Sequence, residues 1–327
     1  MKVSQSKVNT WRTCHKKYDY RYNQKLRKKR TKRPLVFGSI VHSMLEAHID
    51  GKDMFETLAH YEKENKQLFI NESLEYGNLV EDIRLIMTDY LEHYKDDPIT
   101  YLKMNGQKSE FEFEIEIYPG ILMNGVIDGL ARYRGLRAVV DHKSFKRMPN
   151  EDARWRNLQG SVYIRTIDML GWKPVDGMLW NYLHSRPPSK IDTLKDGSIS
   201  RKKVNTLPIV LKEKIHELGL RRIDHRDMIK SLEINRQNYF LRRFTPVSKN
   251  VVDMVFGDFI ESAKQIAEFG DRFNARNIGN HCSWCDYEGL CRAALTGGDE
   301  EFLIKREYVV DEKANQSKAD KPTPDED

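Results

Sequence analysis

All four cysteines of the chain fall into one metal-ligand pattern, with Cys14 near the N-terminus and Cys282, Cys285 and Cys291 clustered almost a whole domain later in HCSWCDYEGLC. A fold that joins them must bring its two ends together. In a reducing compartment a Cys-x2-Cys pair is a chelate, because the short turn points two thiolates at one centre. A third thiolate on the same loop leaves one coordination position open, and Cys14 can close it. The competing reading is four unrelated buried thiols, which pack as small hydrophobes; the clustering weighs against it. Four thiolates suit either zinc or an iron-sulfur cluster, and spacing alone does not separate the two.

A chain of 327 residues can bury a substantial core, and one elaborated domain over about residues 1–298 is expected. The stretch 299–327, which ends in DEKANQSKADKPTPDED, is acidic, polar and expected to be a disordered tail. No apolar run approaches the ~20 residues of a membrane span, and the start MKVSQSKVN lacks the apolar centre of a signal peptide, so a cytoplasmic protein with no membrane partner is expected. Cysteines this sparse do not make a disulfide scaffold. Fifty-five Lys+Arg against 49 Asp+Glu give a net charge of +6, a mild hint of a polyanionic partner. The densest basic run is KLRKKRTKR at Lys25–Arg33, either a solvated arm or a phosphate-contacting segment.

Ser6 is expected to cap a first helix on which Val8, Trp11, Cys14 and Tyr18 recur at helical spacing. A second helix is expected from near Gly38, with Ile40, Met44, Leu45 and Ile49 on one side and His42 and Glu46 on another. Further helices are expected within Met54–Lys95. The period then changes. EFEFEIEIY at Glu110–Tyr118 alternates as a half-buried strand does, Pro119-Gly120 turns the chain into ILMNGVIDGL, and a loop at Tyr133–Gly135 leads into LRAVVDHKS. A helix over Ala153–Leu170 and a strand over Val175–His184 complete an αβββαβ core at about 105–185, between helical parts at about 1–100 and 186–298. The C-terminal part is expected to hold a basic helical region at Ile209–Arg243 and a helix from Ser248. No GxxxxGK[ST] phosphate loop is present, so the chain carries no recognisable ATP motor.

Asp128 in GVIDGL and Asp141 in VVDHKS are placed at strand ends, and Lys143, two residues after Asp141, shares its face. Carboxylates suit a hard cation such as Mg²⁺ or Mn²⁺, which acidifies bound water and neutralises phosphate charge. Lys143 can stabilise the transition state of a displacement at phosphorus. His42 on the neighbouring helix offers a nitrogen, better suited to Mn²⁺ than to Mg²⁺. Taken singly, an Asp in a turn, a lysine at a strand terminus and a lone His are ordinary structural features. Of the glutamates in EFEFEIEI, Glu112 or Glu114 is the candidate to approach a metal, against the plainer reading of a solvated strand face.

Together these residues resemble the PD-(D/E)xK nuclease superfamily, and within it the RecB-like nucleases that carry an iron-sulfur cluster. The resemblance spans about residues 4–295 and rests on G-x3-H (Gly38, His42), G-x-x-D (Gly125, Asp128), D-x-K (Asp141, Lys143), Q-x3-Y (Gln159, Tyr163) and C...C-x2-C-x5-C (Cys14, Cys282, Cys285, Cys291). Position 141 is Asp where many members have Glu. The resemblance implies an α/β fold with a mixed sheet, helical insertions and a 4Fe-4S cluster that links the two ends structurally. It implies a divalent metal on His42, Asp128, Asp141 and the backbone carbonyl of His142, with Lys143 as catalytic lysine. Gln159 and Tyr163 would contact the DNA strand or support the site, although Tyr163 alone also fits a core position.

The activity implied is a metal-dependent DNA exonuclease acting on single strands or duplex ends, with a helicase or recombination protein as a partner in trans. The KDGSISRKK segment resembles phage-type members, which places the expected role in phage recombination, replication or processing within the host cytoplasm. Two rivals are a CRISPR-adaptation type end-trimming nuclease and a non-catalytic nucleic-acid-binding protein with a four-cysteine zinc site.

Overall fold

A computed structural model describes residues 1–66, 73–147, 149–151 and 157–311. Strand β1 (Lys2–Val3) leads into helix α1 (Gln5–Thr13). Ser4 rather than Ser6 caps it: Ser4 is extended and its hydroxyl accepts the Lys7 N–H at 3.2 Å, while Ser6 lies inside the first turn. Cys14 ends α1 in an extended conformation, beside the buried Trp11. After β2 (Leu26–Lys28), α2 runs over Arg33–Ile49, starting five residues ahead of Gly38. Pro34 lies in its first turn, where a fixed φ and a missing N–H cost nothing. Helices α3 (Met54–Glu64) and α4 (Leu79–His93) follow.

The sheet contains β1, β3 (Ile99–Tyr101), β4 (Ser109–Tyr118), β5 (Ile121–Tyr133), β6 (Leu136–Phe145), β7 (Gly177–His184) and β8 (Phe240–Pro246). Its path is β1-β5-β6-β7-β8, with β3 and β4 also paired to β5. The sheet is mixed: β1/β5 and β6/β7 are parallel and the remaining pairs antiparallel. Gly120 turns β4 into β5 at φ 76°, and Arg134 and Gly135 turn β5 into β6 with φ of 49° and 86°, the handedness a two-residue hairpin favours. Helix α5 (Gln159–Met169) carries the parallel crossover from β6 to β7. The expected αβββαβ order is therefore present as α2, β4, β5, β6, α5, β7; residues 153–156 of the expected Ala153–Leu170 helix lie outside the described residues.

One sheet face packs on α1, α5 and α8 (Lys249–Phe269) through Trp11, Val162, Ile167, Phe259 and Ile266. The other core joins α2 and α4 to Leu183 and Phe240. The basic stretch expected to be helical resolves into α6 (Pro208–Glu217), α7 (Arg226–Asn235) and strand β8, in which Arg242 and Arg243 lie opposite Asn181 and Trp180 of β7.

The C-terminal expectation needs correcting. Residues 299–311 are not a disordered tail: α9 (Glu288–Thr296) is followed by α10 (Glu300–Glu307), capped by Asp299, and β9 (Tyr308–Val310) pairs antiparallel with β2. Tyr287 and Tyr308 stack at 5.7 Å, and their hydroxyls donate to the carbonyls of Leu26 and Asp286. The rest of that stretch, 312–327, lies outside the described residues. Among the described residues, no helix is long and apolar enough to cross a membrane.

Candidate active site

Antiparallel pairing of β5 with β6 stops at Gly129↔Val140, one residue short of Asp128 and Asp141. Neither aspartate ends its strand, since β5 runs on to Tyr133 and β6 to Phe145; they stand where the two strands part. There the His142 N–H donates to Asp128 Oδ2 at 2.7 Å in place of a ladder bond. Lys143 Nζ lies 3.0 Å from Oδ1 and 2.9 Å from Oδ2 of Asp141.

Helix α2 brings His42 over this opening. A Cβ at Gly38 would sit 3.1 Å from the Ser144 hydroxyl, so glycine there lets the helix approach β6 closely. One turn on, His42 Nε2 is 2.8 Å from the His142 carbonyl oxygen, and Nδ1 is 3.7 Å from Asp128 Oδ2. Gly125 has a similar reason: a Cβ would fall 2.8 Å from the Phe113 ring, which also meets Tyr163 edge-on at 6.3 Å. Tyr163 is buried on α5. Its phenol pKa is raised, by burial first and then by the charges of Asp141 and Asp128, and Gln159 hydrogen-bonds its hydroxyl.

The structure thus brings His42, Asp128, Asp141, the His142 carbonyl and Lys143 together, with Tyr163 beside them and Gln159 linked through Tyr163. It also adds Glu110. His42, Glu110 and Asp128 place one ligand atom each within 4.8 Å of one another. Glu112 and Glu114 do not join them; both are exposed, and Glu114 pairs with Lys2 at 2.8 Å. The pairs Ser109↔Gly129 and Phe111↔Ile127 leave Glu110 facing Asp128, because a β-bulge between Glu116 and Tyr118 shifts the hairpin by one. Counted back from Tyr118↔Ile121 without that bulge, Phe111 would face Asp128. Glu110 holds φ 49°, a left-handed conformation that costs an L-residue roughly 1–2 kcal/mol. With Glu46 and Glu112 it lines a cleft of about 660 Å³.

The carboxylates are held ready for a cation. Burial, then the neighbouring Asp141, pushes the Asp128 carboxyl up to about 7, and burial likewise raises Asp141 against the pull of Lys143. Asp141 Oδ2 is buried and accepts no hydrogen bond, although Lys143 is near. Such an oxygen, beside His and carboxylate donors, fits a hard or borderline divalent ion.

The four cysteines are free and line one cavity of about 190 Å³. Lys16, Lys17, Arg276 and Arg292 surround it, Arg276 hydrogen-bonds Cys291, and the Asn277 N–H reaches Cys14 Sγ at 3.5 Å. Four thiolates carry negative charge on any metal they bind, and Lys17 and Arg276 offset it, whereas Lys16 and Arg292 are paired with Asp19 and Glu288. The basic run is built into the fold. Arg27, Lys28 and Lys32 pair with Asp311, Glu307 and Asp286, while Arg33 binds Asp82 at 2.6 Å and the carbonyls of Tyr76 and Ser185.

Compared with known families, the chain matches the model of the PD-(D/E)XK nuclease superfamily over residues 2–292. No curated protein matches the chain.

Proposed function

The chain belongs to the PD-(D/E)XK nuclease superfamily, and on that premise we propose that it is a metal-dependent DNA exonuclease that hydrolyses phosphodiester bonds from an end. The observation that carries this reading is the convergence of His42, Asp128, Asp141 and Lys143 where β5 and β6 part. His42, Asp128, Asp141, Glu110 and the His142 carbonyl would hold Mg²⁺ or Mn²⁺. Such an ion acidifies water and neutralises phosphate charge. Lys143, partly exposed and tethered by Asp141, can donate to a phosphate oxygen as charge builds there. Tyr163 and Gln159 border the site and would guide the strand.

A 4Fe-4S cluster on Cys14, Cys282, Cys285 and Cys291 belongs to the same proposal, as a brace between the two ends rather than a redox centre. Cys14, Cys282, Cys285 and Cys291 line one cavity, and four thiolates around one centre are the ligand set such a cluster takes. The reading extends to DNA as partner, a helicase or recombination protein acting in trans, and a phage role in the host cytoplasm. Residues 1–298 would act as one nuclease unit, with 300–310 docked on it.

The test is a nuclease assay on linear and circular single strands and on linear duplex, with Mg²⁺ or Mn²⁺ and with EDTA. Linear DNA should be shortened from an end only with metal, and circles should resist. Cleavage that survives EDTA removes the metal reading, and rapid nicking of circles replaces an exonuclease with an endonuclease.

A further inference from the structure

The row of side chains that contains His142 continues across two more strands. His142 on β6 pairs with Asn181 on β7, and Asn181 with Arg242 on β8. Asn181 is fully buried. Its Nδ2 lies 2.8 Å from His142 Nδ1 and 3.1 Å from the Tyr90 hydroxyl, and its Oδ1 accepts from Arg242 Nε at 3.3 Å. Arg242 also donates to the Tyr90 hydroxyl at 2.6 Å and pairs with Asp97, with both charged side chains buried.

An amide can be placed either way round, but here only one orientation works. A guanidinium donates and never accepts, so the Asn181 oxygen must face Arg242 and its NH₂ must face His142. His142 Nδ1 then accepts, and the ring carries its hydrogen on Nε2. The ring is buried, which favours its neutral form. Both polar groups of the His142 residue's backbone face the site: its N–H holds Asp128, and its carbonyl lies against His42.

We propose that Asn181 and Arg242 are positioning residues that lock the His142 ring in one tautomer and, through its backbone, fix the Asp128 carboxylate and the carbonyl offered to the cation. The inference rests on the metal-nuclease reading above. Arg242 orients the amide, the amide orients the ring, and the ring prevents the backbone around His142 from rotating its carbonyl away. Asp97 keeps Arg242 in place by balancing its charge.

The experiment combines ¹⁵N spectroscopy of His142, Mn²⁺ titration of the full chain, and steady-state cleavage. Wild-type His142 should carry its proton on Nε2. Asn181→Asp replaces the donor by a second acceptor, so the proton should move to Nδ1. Asn181→Leu should weaken Mn²⁺ binding roughly 10- to 100-fold, as removal of an outer supporting hydrogen bond does, and leave KM for DNA unchanged. A wild-type ring protonated on Nδ1, an unmoved proton in Asn181→Asp, or a folded Asn181→Leu protein with wild-type Mn²⁺ affinity overturns the proposal. If Asn181→Leu does not fold, the two tautomer measurements decide. A wild-type protein that binds no Mn²⁺ would instead sink the nuclease reading, and the tautomer measurements would still show whether Asn181 sets the ring.

Discussion

The His142 N–H donates to Asp128 Oδ2 at 2.7 Å, so the strand that carries Asp141 and Lys143 also holds the carboxylate of the neighbouring strand. A ladder bond has been exchanged for a side-chain bond where the strands diverge. The exchange leaves Asp128 with one oxygen anchored, and it sets the separation between the two aspartates by backbone geometry rather than by flexible side chains. Sites built on strands gain precision in this way.

Lys143 is the first residue to test. Lys143→Met keeps the stem and removes the ammonium, so cleavage should fall by on the order of 10²–10³ or more while DNA affinity stays near wild type. Single-turnover assays with filter binding on the same protein separate the two. A variant that cleaves at the wild-type rate would remove Lys143 from the mechanism.

The pH dependence of stability should reveal the cation. Without metal, Asp128 is protonated up to about 7, whereas in the unfolded chain it ionises near ~4. The folded state therefore holds a proton that the unfolded state has released, and metal-free stability should fall as pH rises through that interval. A cation takes the proton's place. The rise in Tm on adding Mn²⁺ should accordingly be larger at about pH 7.5 than at about pH 5.5, and Asp128→Asn should flatten the difference. Equal rises at both pH values would show that Asp128 does not exchange its proton for metal.

What was legible in the sequence is short-range or set by a fixed period. Gly38 and His42, Asp141 and Lys143, and the Cys-x2-Cys pair are each separated by a helix turn, a strand repeat or a chelating turn, and the structure places them as those spacings require. What was not legible depends on distant partners. Strand β8 lay hidden in a basic stretch because Arg242 is buried only with Asp97 and Tyr90, far away in the chain. Residues 308–310 look like tail until β2, at residues 26–28, supplies their hydrogen bonds.

Arg33 and its neighbours separate structural from DNA-binding charge. Arg33 is mostly buried and joins α2 to Asp82 and to two carbonyls, so Arg33→Met should cost roughly 2–4 kcal/mol in denaturant unfolding. Arg27, Lys28 and Lys32 are paired with the C-terminal segment. Changing all three to Gln should alter the log-log salt slope of DNA binding by less than about 1, whereas three true phosphate contacts would alter it by about 2–3. A change of that larger size would return the run to the DNA interface.

Cys14 tests the brace. It ends α1, and Asn277 binds both its sulfur and the neighbouring Thr13 carbonyl, so loss of the thiolate should loosen the junction of the two ends. Protein purified without oxygen should be brown with about four irons per chain, and Cys14→Ser should lose the iron and unfold at lower temperature. A colourless protein loaded with one zinc would replace the cluster with a zinc site.

Glu110 was missed because a single bulge moves it into the place that uninterrupted register would give to Phe111. Its φ of 49° is an unfavourable conformation for glutamate, and strained residues of this kind concentrate where function needs a side chain in one position. Glu110→Gln keeps the shape and hydrogen-bonding reach of the side chain but removes the charge. If Glu110 is a ligand, Mn²⁺ affinity should fall by at least about tenfold and cleavage should need correspondingly more metal, with thermal stability in EDTA little changed. If Glu110 serves only the turn into β4, the same variant should bind Mn²⁺ as wild type does. Isothermal titration at about pH 7.5, where Asp128 can release its proton, distinguishes these outcomes without depending on catalysis.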